Sequence, residues 1–72
     1  MAAYRFSGER AREARVGAGK SEEEAGDDVN RSPSAIKLYE YGYRTPPIDV
    51  LIALAAAYRV RVEDFFVVEV LA

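Results

Sequence analysis

Between Ser21 and Pro46 the chain reads S-E-E-E-A-G-D-D-V-N-R-S-P-S-A-I-K-L-Y-E-Y-G-Y-R-T-P, so the groups able to do chemistry there are hydroxyls, Lys37, Arg31, Arg44 and a run of carboxylates. There is no histidine and no cysteine in the 72 residues. The usual general base, the usual metal ligand, any catalytic triad, thiolate metal sites and disulfides are therefore all missing. We expect no enzyme, no metal and no cofactor, although carboxylates alone can do acid–base work. What remains is binding by hydrogen bonds and charge. Two helix-start signals, Ser21 and Ser32-Pro33, stand either side of a tight turn. That arrangement reads as a helix-turn-helix, a unit whose second helix lies in the major groove of DNA. Against this stands a net charge of −2 and a first helix that opens with Glu22, Glu23 and Glu24.

The charge is unevenly placed. Arg5, Arg10, Arg12, Arg15 and Lys20 make the first twenty residues basic, the next ten are purely acidic, and Arg31, Lys37 and Arg44 restore a basic segment. A nucleic-acid binder commonly has a basic balance overall; here only a local basic face is on offer. No apolar run is long enough to span a bilayer, and no secretory signal layout is present. The expectation is one cytoplasmic domain over residues 1–72, with a core at 7–66 and an apolar extension at 67–72.

The elements that must position these groups read as helices. Ser7 caps the first, with Phe6 before the cap and Ala11, Ala14 and Ala18 on its inner face. Gly17 and Gly19 end it, Gly19 as the left-handed stop. Ser21 and Glu24 have capping-box spacing, and acidic residues suit the positive end of a helix dipole, so the glutamate run has an ordinary structural explanation. Ala25 and Val29 face inward, and Gly26 predicts a close crossing by the next helix. Asn30 suits a left-handed turn. Ser32-Pro33 restarts the chain as a third helix with Ile36 and Tyr39 inward, ended by Gly42. A stiff Arg44-Thr45-Pro46-Pro47 connector leads to a strongly apolar fourth helix with Leu51, Leu54, Ala55 and Tyr58 as core members. Glu63 to Phe66 make a last helical turn. The tail from Val67 is too apolar to hang free; it docks on the domain, extends the last helix or pairs with a second copy. The sum is a compact five-helix, all-α bundle.

The ordered set resembles the Cro and phage-repressor type of helix-turn-helix domain, the XRE family, over residues 7–66. The carriers are G-E-R-A-R-E-A-R with Arg15 at the family's arginine, Ser21 opening the second helix, Gly26 at the small-residue position, and Asn30 at the turn. Ile36 and Tyr39 match the third-helix anchors, Glu40 the family's glutamate, Gly42 and Pro46 the next loop, and L-I-A-L-A-A-A-Y-R-V-R-V-E-D-F-F the fourth helix and final turn. The resemblance implies a lambda-repressor-like bundle. The departures are Glu22 where the family often has a glutamine, alanines at positions 11, 14 and 25 where it has leucines, and Arg31 for an apolar turn residue. Tyr39, Phe65 and Phe66 are expected to fill the space.

From the resemblance, base contacts are implied for Pro33, Ser34, Ala35, Lys37 and Leu38. Lys37 would donate to guanine or phosphate, and Ala35 and Leu38 would meet thymine methyls. With no arginine, asparagine or glutamine among them, discrimination is expected to be modest. Read without the resemblance, Ser34 and Lys37 are a solvated face. Phosphate contacts are implied for Ser21, Ser32, Tyr43 and Arg44, flanked by Lys20, Arg31 and Arg12. Arg15 and Glu40 are implied as an ion pair tying the first helix to the third. The implied function is a Cro-like or repressor-like transcriptional regulator occupying a double-stranded operator as a homodimer; the apolar residues Phe65, Phe66, Val68, Val70 and Leu71 are the candidate dimer surface, or else part of the domain's own core. The alternative is a protein-interaction module on the same fold, an antirepressor or an antitoxin, using Tyr41, Tyr43 and the apolar tail.

Overall fold

A computed structural model describes residues 2–70. In chain order these form β1 (Ala2–Phe6), α1 (Gly8–Gly17), α2 (Glu22–Val29), α3 (Pro33–Glu40), α4 (Ile48–Tyr58), a 3-10 turn (Val62–Phe65) and β2 (Phe66–Val70). The architecture is a helical bundle of four α-helices with a small antiparallel sheet, not the five-helix all-α bundle expected. Among the described residues no helix is long and apolar enough to cross a membrane.

Each helix starts where its side chains allow. The Ser7 hydroxyl accepts the Arg10 N–H at 3.2 Å, and the Ser32 hydroxyl accepts the Ala35 N–H at 3.1 Å. Ser21 and Glu24 form a reciprocal capping box, at 3.1 and 2.9 Å. The stops are left-handed residues: Gly19 after α1, Asn30 closing α2, Gly42 after α3 and Arg59 closing α4. α4 has no side-chain cap and starts on Pro47, so its position rests on burial.

The core joins Ala11 of α1, Ala25 and Val29 of α2, Ile36 and Tyr39 of α3, and Val50, Leu51, Leu54, Ala55 and Tyr58 of α4 around Phe65. Phe65, Ile36 and Leu54 are the largest side chains fully withdrawn from water. Three alanines face this space, and Tyr39 and Phe65 occupy it. Ala18, expected on the inner face of α1, is exposed, because the helix has already ended at Gly17 and Ala18 is its cap.

Two glycines set crossings. A Cβ on Gly8 would fall onto the carbonyl oxygens of Tyr39 and Glu40, so the N-terminus of α1 is seated on the last carbonyls of α3, positive dipole end to negative. A Cβ on Gly26 would fall onto the carbonyl oxygen of Arg31. The close approach expected at Gly26 is therefore made by the turn backbone, whose Arg31 N–H also donates to the Gly26 carbonyl at 2.8 Å, and not by a crossing helix.

The tail does not extend a helix. β2 pairs with β1 from Ala2↔Val70 to Phe6↔Phe66. Valines at 67, 68 and 70 are stiff at χ1 and favour extended backbone, and a partner strand is supplied by the other end of the chain. Phe6 stacks edge-on against both Phe65 and Phe66, with ring centroids 6.5 and 6.1 Å apart, and Phe65 meets Tyr58 at 6.2 Å. This aromatic file fastens the sheet to the core.

Candidate nucleic-acid interface

α3 presents Pro33, Ser34 and Lys37 to solvent, while Ile36, Tyr39 and Glu40 point inward. The period of a helix makes this split: positions 33, 34 and 37 share a side that positions 36, 39 and 40 do not. Ala35 and Leu38 lie at the boundary, half-buried, and Ala35 packs on the core. The five residues expected at base edges thus fall into an exposed polar set and a pair of apolar shoulders.

The turn before α3 passes through a left-handed residue. Asn30 sits at φ 56° and ψ 48°, a conformation that asparagine tolerates better than most residues. Arg31 and Ser32 then lie exposed at the entry to α3.

The flanking cations differ in availability. Lys20 is engaged by Asp28, Nζ to Oδ2 at 2.5 Å. Arg31 folds back to donate to the Asn30 carbonyl at 3.0 Å. Arg12 and Arg44 are exposed and have no ion-pair partner among the described residues. Ser21 and Ser32 are exposed but their oxygens already accept helix N–H groups, leaving the hydroxyl protons to donate. The backbone N–H groups of Tyr43 and Arg44 both run to the Leu38 carbonyl, at 3.0 and 3.3 Å. Those two residues can therefore offer a ligand only their side chains. Tyr43 stands against Tyr41 edge to face, 6.4 Å between centroids, and both rings are exposed.

Behind this surface lies one buried charge pair. Arg15 donates from Nε to Glu40 Oε2 at 2.7 Å, from one terminal nitrogen to Glu40 Oε1 at 3.0 Å, and from the other to the Lys20 carbonyl at 2.9 Å. The side chains are 11% and 4% exposed. The bond to Glu40 raises the Arg15 pKa above its ordinary value against the opposing effect of burial, and the charges of Glu40 and Glu22 add to the rise. One guanidinium so joins α1, the loop before α2 and the end of α3.

The glutamate run is largely accounted for. Glu24 is the capping-box partner, and the Ser21 N–H holds its carboxyl below the ordinary value, with the Ser21 hydroxyl adding to the effect. Glu22 is half-buried, with Oε1 4.0 Å from Lys37 Nζ. Sequence reasoning missed this contact: the two residues stand fifteen positions apart, and no local spacing rule joins them. Only Glu23 of the three faces solvent without a partner among the described residues.

The expected dimer surface divides. Phe65 is wholly buried and belongs to the core, because the 3-10 turn aims its ring at Tyr58; it is not available to a second chain. Phe66 is half-buried against Phe6. Val68 and Val70 are exposed. Leu71 lies outside the described residues. The strand register sets Ala2, Tyr4 and Phe6 opposite Val70, Val68 and Phe66. Residues paired across a ladder share a face, so these six form an uncharged side of the sheet, and the Arg5–Glu69 ion pair lies on the other.

Among the described residues, no group of three or more carboxylates is arranged to hold a metal ion. A helix-turn-helix family model matches residues 12–65. No curated protein matches the chain in sequence. Among solved structures, the fold is similar to that of the P22 c2 repressor protein in complex with synthetic operator 9T, with TM-score 0.76, 27% identity, and 82% of this chain and 89% of that chain covered. The restriction-modification controller protein C.AhdI from Aeromonas hydrophila gives the same values: TM-score 0.76, 27% identity, 82% of this chain and 89% of that one. PlcR from Bacillus thuringiensis, solved with the peptide PapR7 and DNA, shares the fold at TM-score 0.74 and 22% identity, over 81% of this chain and 20% of its own.

Proposed function

The chain belongs to the helix-turn-helix family, and on that premise we propose that it is a sequence-specific transcriptional regulator that binds double-stranded DNA, Cro-like or repressor-like, in the cytoplasm. α3 enters the major groove. Ser34 and Lys37 face base edges, with Pro33 at the entry and Ala35 and Leu38 against thymine methyls. Arg12, Arg31 and Arg44 contact phosphates, joined by the hydroxyls of Ser21, Ser32 and Tyr43. Lys20 joins them by exchanging its Asp28 partner for a phosphate.

The observation that carries this reading is the outward side of α3, which the chain's own elements leave uncovered. The similar P22 c2 repressor was solved on an operator, which supports it. The net charge of −2 is not prohibitive, since Glu22 lies against Lys37, Glu24 is taken up in its capping box and Glu40 is paired with Arg15.

Binding operates through two copies. Two half-sites about one helical turn apart give a dimer twice the contacts of one domain. The uncharged side of the sheet is the surface for it: Tyr4, Val68 and Val70 are exposed there, and a two-stranded sheet is marginal alone. Sedimentation at tens of micromolar should show a dimer that Val68→Glu dissociates; a wild-type monomer at that concentration ends the dimer reading.

Salt dependence tests the DNA reading. Affinity for a selected duplex should fall linearly on logarithmic axes, with slope about −0.9 per phosphate neutralised. Arg44→Ala should reduce that slope by about one, and Lys37→Ala should weaken sequence preference. A second reading, a protein-interaction module such as an antirepressor or antitoxin, is favoured by the exposed Tyr41–Tyr43 pair. It prevails if no duplex from a random library is retained at low salt.

A further inference from the structure

Resting on the DNA reading above, we propose that Glu22 and Lys37 together read one G·C base pair, the carboxylate being a specificity determinant and not merely a repulsive neighbour. The contact joins the first residue of α2 to the exposed second turn of α3. Glu22 Oε1 lies 4.0 Å from Lys37 Nζ, with the lysine side chain about half exposed and the glutamate less so. Wherever the ammonium enters a groove, an acceptor travels beside it.

A base pair shows the matching pattern. In the major groove guanine O6 and cytosine N4 are hydrogen-bonded partners, about 3 Å apart. O6 accepts and N4 donates, so a lysine and a carboxylate a few ångströms apart can meet both at once. An A·T pair also shows an acceptor beside a donor, at thymine O4 and adenine N6, but each half fits worse. Lysine on guanine finds a second acceptor at N7, whereas on thymine it finds a methyl group. A carboxylate on cytosine N4 has a C–H beside it, whereas on adenine N6 it lies next to the N7 lone pair. Reversing the pair sets ammonium against N4 and carboxylate against O6, so orientation is read as well.

The carboxylate is held for the task. Glu22 makes no cap bond, that role belonging to Glu24, and its charge is felt by the buried Arg15. A carboxylate that merely approached phosphates would lower affinity for every duplex alike. One beside a base edge lowers it for all sequences except those offering a donor.

The test is selection from a random duplex library with the full chain, followed by affinity measurements on the selected site with each pair replaced in turn. The wild type should show one G·C pair per half-site whose replacement weakens binding about ten- to a hundred-fold. Glu22→Gln is isosteric, and its amide can accept from adenine N6 and donate to adenine N7, so an A·T pair that sets thymine O4 under Lys37 should now be accepted within about threefold, while affinity for unrelated duplexes rises. Lys37→Ala should lose preference at that same position. If Glu22→Gln tightens all duplexes by one factor with the preference unchanged, or if the two variants alter different positions, the joint reading is overturned and the DNA reading survives. If the wild type retains no duplex at low salt, both fall.

Discussion

Replacing Arg15 by methionine removes one guanidinium and three hydrogen bonds, and leaves the Glu40 carboxylate, whose side chain is 4% exposed, without its cation. Breaking one partner of a buried pair costs about 3–5 kcal/mol. The 72-residue chain is expected to have about 4–11 kcal/mol of total stability, at about 0.05–0.15 kcal/mol per residue. The variant therefore stands close to unfolding, and its thermal midpoint should fall by about 12–24 °C for the lower end of that cost. Glu40→Leu leaves the guanidinium stranded instead and should cost a similar amount. The double variant Arg15→Met with Glu40→Leu strands neither charge and should recover most of the loss, since apolar replacement of a whole buried pair is often neutral or stabilising. Urea denaturation followed by circular dichroism across this double-mutant cycle gives the coupling directly. A coupling within about 0.5 kcal/mol of zero, the range of independent sites, would refute the claim that the pair acts as a unit.

The glycines separate by sign. Gly26→Ala should destabilise by about 1–3 kcal/mol despite alanine's better helix propensity, because its Cβ meets the Arg31 carbonyl. Gly17→Ala, with nothing near its Cβ, should stabilise by about 0.5 kcal/mol; denaturant midpoints check both. Burial pushes the Tyr58 phenol above its ordinary 10.0. Its contribution is whole below pH 10 and is lost as pH rises beyond it, because the unfolded chain ionises first. Tyr58→Phe should flatten the loss of stability between pH 9 and 11, measured by urea midpoints.

What was legible in the sequence is what short-range physics decides. Ser7, Ser21 and Ser32 announce helix starts because a hydroxyl satisfies an N–H three residues on. Asn30, Gly19 and Gly42 announce stops because few residues accept positive φ. The ends of the chain were illegible for the opposite reason. Ala2–Phe6 carries no helix signal, and the valines of β2 fit an extended strand as well as a docked tail, so only the partner decides. Gly8 looks like an ordinary helix opener until α3 is laid across it. The face of α3 could be read from its period, whereas the Glu22–Lys37 contact needed the two helices set at their actual angle.

The sheet also governs the order in which the domain assembles and comes apart. Arg5 and Glu69 are joined across 64 positions, and closing so long a loop costs chain entropy that local helix contacts do not. The helices should therefore gather first and the strands zip last. In the reverse direction the strands are the first cooperative piece to open, taking Phe6 off the ring of Phe65 and freeing the Ser7 N–H from the Phe65 carbonyl. Strand amides should then exchange with solvent well before those of α4. β1 and β2 should thus act as a latch whose release leaves the α2–α3 unit standing.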